Sequence, residues 1–82
     1  MNYTHKKRQY NAHAVQWTQD NLVDVQAMLP SAEISKVGDV AFIRYSPGEC
    51  NVMNPLDWIV KGENGAIKIY SDDIFHIKYE EI

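Results

Sequence analysis

The sequence predicts an α+β fold in which one antiparallel sheet of five or six strands, open or partly curled into a barrel, carries one short helix on a face. Two observations predict it. Short stretches rich in aromatic and β-branched residues alternate with clusters of Gly, Pro, Asn and Asp, as in small antiparallel sheets. One segment, residues 18–30, instead repeats its apolar residues every three or four positions, as a helix does.

The first strand is expected over residues 10–17, YNAHAVQW, and the helix follows it. Alternation along the strand places Tyr10, Ala12 and Ala14 on one side, and Val15 and Trp17 on the other. The apolar stripe of the helix consists of Leu22, Val25 and Met28 or Leu29. Thr18 or Asp20 can cap its first backbone N–H groups, and Pro30 ends it. A helix this short is unstable alone, so its stripe should lie on the sheet.

Two hairpins follow the helix. Val37–Asp39 turns the chain into the strand VAFIRY, and the type II turn SPGE, Ser46–Glu49, belongs to a hairpin over residues 40–53. In the second hairpin the loop GENG, Gly62–Gly65, joins WIVK to AIKIY. We expect Gly62 or Gly65 to have a positive φ there.

The last predicted elements are a capped helical turn and a strand. Ser71 followed by Asp72 and Asp73 is typical of a helix start, from which we expect a single turn. The strand HIKYEEI should then place Ile77 and Tyr79 on one face. The predicted order of elements is β-α-β-β-β-β-β.

Length and composition limit the class of protein. The 82 residues, 45% of them hydrophobic, suit one domain over residues 1–82, with residues 1–8 as a flexible basic segment. The single cysteine favours a reducing compartment, and no apolar run approaches the roughly 20 residues that span a bilayer. We therefore expect a cytoplasmic protein that does not bind membranes. A net charge of -3 argues against general affinity for nucleic acid.

Three segments carry a shared pattern of motifs: AVQWTQDN at Ala14–Asn21, DWIVKGENG at Asp57–Gly65 and DIFHIKYE at Asp73–Glu80. In order and spacing they resemble motifs of a family of small phage and prophage proteins of uncharacterised function. Proteins of that family begin with Tyr-Arg-Lys-Lys and continue with Gln-Trp-Thr-Gly-Asp-Asn. They end with Pro-Gly-Asp-Trp-Ile-Ile-Lys-Gly and Asp-Ile-Phe-Glu-X-X-Tyr-Glu. Order and spacing agree at both ends, whereas residues 29–54 match no motif of the family.

The chain departs from the family pattern in three places. Leu56 stands where the family has glycine before Asp-Trp, and Gln19 stands where it has glycine after Thr. Residues 68–72 replace Tyr-Pro-Cys-Lys-Pro, so no role of that cysteine carries over. The resemblance implies a phage gene product made in the cytoplasm of an infected bacterium, and it implies no activity.

The sequence offers little for catalysis or metal binding. A thiol nucleophile at Cys50 would need a histidine within reach, but His5, His13 and His76 are far apart along the chain. None of them has a metal-ligand spacing to another His or to Cys50. GENG lacks the Gly-Lys-Ser/Thr of a phosphate loop. We therefore expect no enzyme, no catalytic residue, no metal and no cofactor.

Binding to another protein is the function that the sequence favours. A small sheet covered by one helix cannot bury all its large aromatic residues, so some should be exposed as interface anchors. The predicted partner-binding residues are Arg44, Tyr45, Glu49, Asn51, Tyr70 and Tyr79; the predicted structural residues are Trp17, Trp58, Gly62, Gly65, Ser71 and Phe75. The last strand, as an unpaired edge, offers a site for a partner's strand or for a homodimer.

The resulting hypothesis is a non-enzymatic phage accessory protein that binds and modulates a bacterial host protein, such as a component of transcription or of antiviral defence. Two alternatives stay open. In the first, Lys6, Lys7 and Arg8 bind nucleic acid. In the second, a pocket of the protein sequesters a nucleotide signal.

Overall fold

The computed structural model describes residues 2–7, 11–44, 50–62 and 65–81. Within these residues, two helices and eight strands form an α+β fold, so the predicted class is confirmed. In chain order the elements are β1 Asn2–His5, β2 Asn11–Gln16, α1 Leu22–Met28, β3 Glu33–Val37, β4 Val40–Arg44, β5 Asn51–Met53, β6 Trp58–Gly62, β7 Ile67–Tyr70, α2 Asp72–Lys78 and β8 Tyr79–Glu81.

The strands form two antiparallel sheets, not the single sheet predicted. A five-stranded sheet has the order β7-β6-β2-β1-β8, and a three-stranded sheet has the order β3-β4-β5. The larger sheet is open, and β8 lies at one edge, as predicted for the last strand. The single-sheet prediction was wrong because β6 lies between β7 and the distant β2, with Gln16 opposite Trp58. No side of β6 is then open to β5, so β3, β4 and β5 form a separate sheet. Alternation shows which side of a strand is buried, but not which strand lies beside it.

Strand β1 lies between β2 and β8, where the sequence predicts a flexible segment over residues 1–8. Tyr3 explains the difference, since its buried ring stands edge-on to Trp58 and Phe75 at centroid distances of 5.4 and 4.9 Å. A buried tyrosine removes enough apolar surface from water to help order a short strand. The prediction of flexibility is therefore wrong for Asn2–His5.

Helix α1 has the predicted apolar stripe but a different N-cap. The stripe is confirmed by the burial of Val25, Met28 and Leu29. The cap residue is Asn21, whose side-chain Oδ1 accepts from the backbone N–H of Thr18 instead of capping the helix. Thr18 and Asp20 were the wrong choice because their side chains bond to each other, Oγ1 to Oδ1 at 2.7 Å. Pro30 follows the end of the helix, as predicted.

The five-stranded sheet has a core on each face. The α1 core lies between this sheet, α1 and the three-stranded sheet, and it consists of Trp17, Val25, Met28, Leu29, Ala32, Ala41, Ile43, Met53 and Ile59. The α2 core lies under α2 and consists of Tyr3, Ala12, Ala14, Trp58, Val60, Phe75 and Tyr79. Because successive side chains of a strand point to opposite faces of the sheet, neighbouring residues of β2 and of β6 belong to different cores. The predicted sides of β2 are confirmed, except for Tyr10, which lies outside the described residues.

Because both faces of the larger sheet are covered, fewer aromatic side chains are exposed than the sequence suggests. Trp17, Trp58, Phe75 and Tyr79 are buried, Tyr70 is half-buried, and Tyr45 lies outside the described residues. The expectation that some aromatic side chains are exposed as interface anchors assumed one covered face, and it is wrong for Tyr79, the buried residue among those predicted to bind a partner. Phe75 stacks on Trp58 with a centroid distance of 4.0 Å and an interplanar angle of 5°. Both rings are buried, as expected for residues predicted to be structural.

Trp17 joins the two sheets. Its indole N–H donates to the carbonyl of Asp39, in the β3–β4 turn, at 2.8 Å. Its backbone N–H donates to the carbonyl of Asp57, and its carbonyl accepts from the N–H of Leu56, both at 2.8 Å. The side chain is 0% exposed. One residue thus bonds to the small sheet and to the loop before β6.

Both predicted hairpins are present, as β4–β5 and β6–β7. Gly65 has the predicted positive φ, +83°, and its N–H donates to the carbonyl of Gly62 at 3.0 Å. The predicted turn Ser46–Glu49 lies outside the described residues. The sequence does not predict β3, because only Ile34 of its five residues is shielded from solvent and the apolar alternation is weak.

Helix α2 is longer than the single turn predicted. Ser71 caps it as expected, accepting from the N–H of Ile74 at 3.4 Å. The helix continues through residues 76–78, which the sequence assigns to the last strand, and β8 begins only at Tyr79. The strand prediction was wrong there because burial of Phe75 and the acidic first turn outweigh a weak β propensity. In the part of the chain that is described, no helix is long and apolar enough to cross a membrane.

Asp72 joins α2 to the sheet. Its Oδ1 accepts from the indole N–H of Trp58 at 2.8 Å and from the side-chain amide of Gln16 at 3.2 Å. The same oxygen lies 3.2 Å from Nδ1 of His76, one turn further along the helix. A single carboxylate therefore fixes the position of α2 against β2 and β6.

We expect Trp58→Ala to lower the free energy of unfolding by about 3 to 5 kcal/mol, because it empties a large aromatic site in the α2 core. Trp58→Phe keeps an aromatic ring against Phe75 but loses the bond to Asp72, and it should cost about 1 to 3 kcal/mol. Urea unfolding followed by circular dichroism measures both. A loss below about 1 kcal/mol for the alanine variant would contradict the burial of Trp58.

Leu56 has a left-handed backbone, φ +72°, and its side chain is 56% exposed. We expect Leu56→Gly to raise the free energy of unfolding by about 0.5 to 1 kcal/mol, because a Cβ atom is strained at this φ and glycine is not. Leu56→Ala is the matched control, since it removes the side chain and keeps the Cβ atom. Equal stability of the two variants in urea would show that the backbone at Leu56 is unstrained.

Candidate functional site

The three-stranded sheet turns one side away from the α1 core, and we call that side the outer face. By strand register it carries Glu33, Ser35 and Val37 of β3, Val40, Phe42 and Arg44 of β4, and Val52 of β5. Val37 and Val52 are 63% and 43% exposed, and Phe42 is half-buried between their strands. Glu33 and Arg44 lie opposite each other at one end. The outer face is thus an apolar patch with a charged rim.

The outer face contains part of the partner-binding set predicted from sequence. Arg44 lies on it, whereas Asn51, although exposed on β5, is opposite Ile43 and so lies on the other side of the sheet. Tyr45 and Glu49 lie outside the described residues. Tyr79 was a wrong choice, because its ring is buried in the α2 core, 5.3 Å from the ring of Phe75. Tyr70 packs against the same core, with the ammonium of Lys78 5.4 Å from its ring centroid.

Of the basic residues predicted to bind nucleic acid, Lys6 already makes hydrogen bonds within the fold. The backbone N–H of Lys6 donates to the carbonyl of Lys78 at 2.8 Å, and its ammonium donates to the carbonyl of His76 at 2.7 Å. Both carbonyls belong to the last turn of α2, whose partial negative charge attracts cations. Lys7 is exposed, and Arg8 lies outside the described residues. Lys6 therefore stabilises the end of a helix.

The cysteine and the exposed histidines lie on different parts of the fold. Cys50 is exposed directly before β5 and lines a hollow of about 590 Å³ on the outer face, with Phe42 and Arg44. His13 is on β2 of the other sheet, and His76 is on α2. Over residues 2–7, 11–44, 50–62 and 65–81, no group of three or more His, Cys, Asp or Glu side chains is arranged to hold a metal ion.

An open groove of about 790 Å³ separates α1 from strands β2 and β6, and we call it the α1 groove. Its lining residues are His13, Ala14, Val15 and Gln16 of β2, Trp58 and Lys61 of β6, and Asn21, Asp24, Ala27 and Met28 at or in α1. At one end the amide of Asn21 donates to the carbonyl of Gln16 at 2.7 Å. At the other end Lys61 Nζ donates to the carbonyl of Met28 at 3.5 Å. The volume is in the range of small-molecule sites.

His13 and Lys61 are directly opposite each other on β2 and β6, at the Met28 end of the α1 groove. Nδ1 of His13 is 3.3 Å from Oδ1 of Asn2. Partial removal of water from the ring, and then nearby positive charges that include Lys61, lower the pKa of His13. Asp24 lines the groove on the opposite wall. This end of the groove therefore brings together two basic side chains that repel each other when both are charged.

No protein-family model, curated protein or solved structure matches this chain. The two surfaces are therefore interpreted from their own chemistry. The outer face offers apolar area, and the α1 groove offers charged and polar groups around an apolar floor.

The partner-binding residues predicted from sequence include one residue of the outer face, Arg44, and none that lines the α1 groove. Sequence reasoning treats His13 as an isolated strand residue, because nothing near it in sequence can complete a site. Lys61 becomes its neighbour only through the pairing of β2 with β6. The signal in the sequence is the alternation of side chains along each strand, which places His13 on the same side as Val15 and Lys61 on the same side as Ile59. This alternation brings His13 and Lys61 together only once the pairing of β2 with β6 is known.

We expect His13 to make the protein less stable as the pH falls below about 6.5, the ordinary pKa of histidine. Its pKa is lowered in the fold, so the unfolded chain takes up the proton first. The stability it contributes is present above the unfolded pKa and is lost as the pH falls through the folded pKa. Lys61 and Asp24 are the charged groups that share the groove with it.

Urea unfolding at a series of pH values tests this effect. His13→Gln should flatten the fall in unfolding free energy between about pH 7 and pH 5. His76→Gln, on α2, is the matched control and should keep the contribution of His13. An unchanged slope in His13→Gln would contradict the lowered pKa.

Proposed function

We propose that this protein is a non-enzymatic interaction module that binds a partner protein through the outer face. The observation that carries the proposal is the exposure of Val37 and Val52 on either side of Phe42. The opposite side of the same sheet already packs in the α1 core through Ala41 and Ile43. Contiguous apolar area of this kind, bordered by charges, is typical of a binding surface.

The dimensions of the outer face indicate the type of complex. Three strands about 4.8 Å apart, with about 3.3 Å per residue, give a surface roughly 10 Å by 17 Å. That area is below the roughly 800 Å² that each partner buries in a stable standard interface. The proposed complex is therefore weak and reversible, with an apolar centre on the partner and charges complementary to Glu33 and Arg44 at its rim.

The second part of the proposal is that the partner is a bacterial host protein, modulated during phage infection in the cytoplasm. Components of transcription or of antiviral defence are the candidates. The resemblance to phage proteins supports it, and one structural feature agrees with that pattern. Gln19 and Leu56 stand at the family's two glycine positions, and they are the non-glycine residues with positive φ in the described chain, at +74° and +72°. Glycine adopts such a backbone without strain.

The nucleic-acid alternative has less support, because Lys6 is held by carbonyls of α2. Homodimer formation through the edge strand β8 is also compatible with its position. Neither alternative uses the outer face. A change confined to that face therefore separates them from the proposal.

A pull-down from bacterial lysate, performed with and without nuclease, tests the proposal with two variants of the same chemistry. The double variant Val37→Lys/Val52→Lys places charge on the outer face, whereas Val23→Lys changes a valine that is 80% exposed on α1. Because the complex is weak, a cross-linker is added before washing, and the wild type and Val23→Lys should then retain the same protein whether or not nuclease is present. The double variant should lose about tenfold in affinity or more, because charge in the apolar centre must be desolvated.

Two results would count against the proposal. In one, the double variant retains the partner as well as the wild type does. In the other, only nucleic acid is recovered, and Lys6→Ala/Lys7→Ala abolishes its recovery. Circular dichroism confirms that each variant is folded.

A further inference from the structure

We propose that the α1 groove binds a small molecule that carries an oxyanion, a phosphate or a carboxylate, at the end formed by His13 and Lys61. Hydroxyl or amino groups of the same molecule would face Asp24 on the wall formed by α1. This site lies between α1 and the larger sheet, so it does not depend on the outer face or on a protein partner. The inference rests on three features of the groove.

The first feature is a pair of basic side chains whose hydrogen-bond donors are not all used within the protein. In the described chain, no carboxylate lies within ion-pair distance of Lys61, and the ion pair that is present joins His76 to Asp72. An ammonium has three donors, and the bond from Lys61 to the carbonyl of Met28, at 3.5 Å, is at the upper limit of length. An oxyanion between His13 and Lys61 would replace their mutual repulsion with two attractions.

The second feature is the access to these two residues. They also line a smaller hollow of about 260 Å³, together with Asn2, Asn11, Ala12 and Gly62, so the pair borders open space on two sides. Nδ1 of His13 faces Oδ1 of Asn2, which leaves Nε2 for a ligand. An oxyanion favours the protonated ring, so binding of the anion and uptake of a proton are coupled.

The third feature is the acceptor on the opposite wall. A helix rises 1.5 Å per residue, so Asp24 lies about 6 Å along the helix axis from Met28, which marks the basic end. Val15 and Ala27 line the groove between the two ends. Oδ1 of Asn21 already accepts from the backbone N–H of Thr18, and Asp24 is the carboxylate that the groove offers on this wall. An oxyanion about 6 Å from hydroxyl groups is the arrangement of a sugar phosphate, a nucleotide or a sugar acid.

Titration by two-dimensional NMR tests the site with four probes at constant ionic strength. Ribose 5-phosphate, adenosine monophosphate and gluconate carry the anion, and ribose lacks it. At least one anionic probe should shift the amide signals of the groove, and should raise the pKa of His13, read from its imidazole signals, by about one unit. Comparison of the two phosphates with gluconate identifies the anion.

Matched variants locate the site. Lys61→Met should weaken binding of the active probe about tenfold or more, because it removes a charge-assisted bond. Lys61→Arg keeps the charge and should retain most of the affinity. Lys68→Met is the control, since Lys68 is exposed on β7 and its neighbours Ile67 and Ile69 pack against the α1 core. Asp24→Asn should also weaken binding of the active probe, because it removes the charged acceptor on the wall formed by α1.

Each contrary result would overturn the proposal. The first is that no anionic probe shifts the groove signals at concentrations up to about 10 mM, the range of the weakest useful site. The second is that ribose binds as tightly as its phosphate. The third is that Lys61→Met and Lys68→Met weaken binding equally, which would indicate a general charge effect. Dispersion of the amide signals shows that each variant is folded.

Discussion

The attachment of the three-stranded sheet to the five-stranded sheet through Trp17 determines the rest of this structure. The buried indole bonds to Asp39 in the turn of the small sheet, and the backbone of Trp17 bonds to Leu56 and Asp57 before β6. An indole N–H buried without an acceptor would cost about 1 to 3 kcal/mol, so the turn is held where its carbonyl meets the ring. Leu56 takes a left-handed backbone at the same place, which is strain accepted for this connection.

Both candidate surfaces follow from this attachment. With one side of the small sheet held in the α1 core, its other side has no element of the described chain to cover it and becomes the outer face. The same core holds α1 by Val25 and Met28, so the helix stands against the sheet only along its buried stripe. The open space between α1 and strands β2 and β6 is the α1 groove.

The sequence was sufficient for elements whose signals are local. The period of α1, the cap at Ser71 and the turn at Gly65 are each determined by residues within a few positions, and all three are confirmed. It was insufficient where distant pairing decides. β1 is ordered by Tyr3 meeting two rings from far along the chain, and the basic end of the groove exists only when β2 pairs with β6. Propensity carries no information about such contacts.

Residues of the α1 core support both surfaces, and this limits what a substitution can reveal. Met28 lines the groove and packs in the same cluster as Ile43, whose strand neighbour Phe42 belongs to the outer face. Close-packed interiors transmit strain, so a change at either core residue would disturb the two surfaces together and imitate a functional link between them. Exposed positions such as Val37 report on one surface at a time. If a core variant loses both partner binding at the outer face and ligand binding in the α1 groove, the result reports on packing. Loss of one kind of binding in a surface variant that keeps the other reports on function.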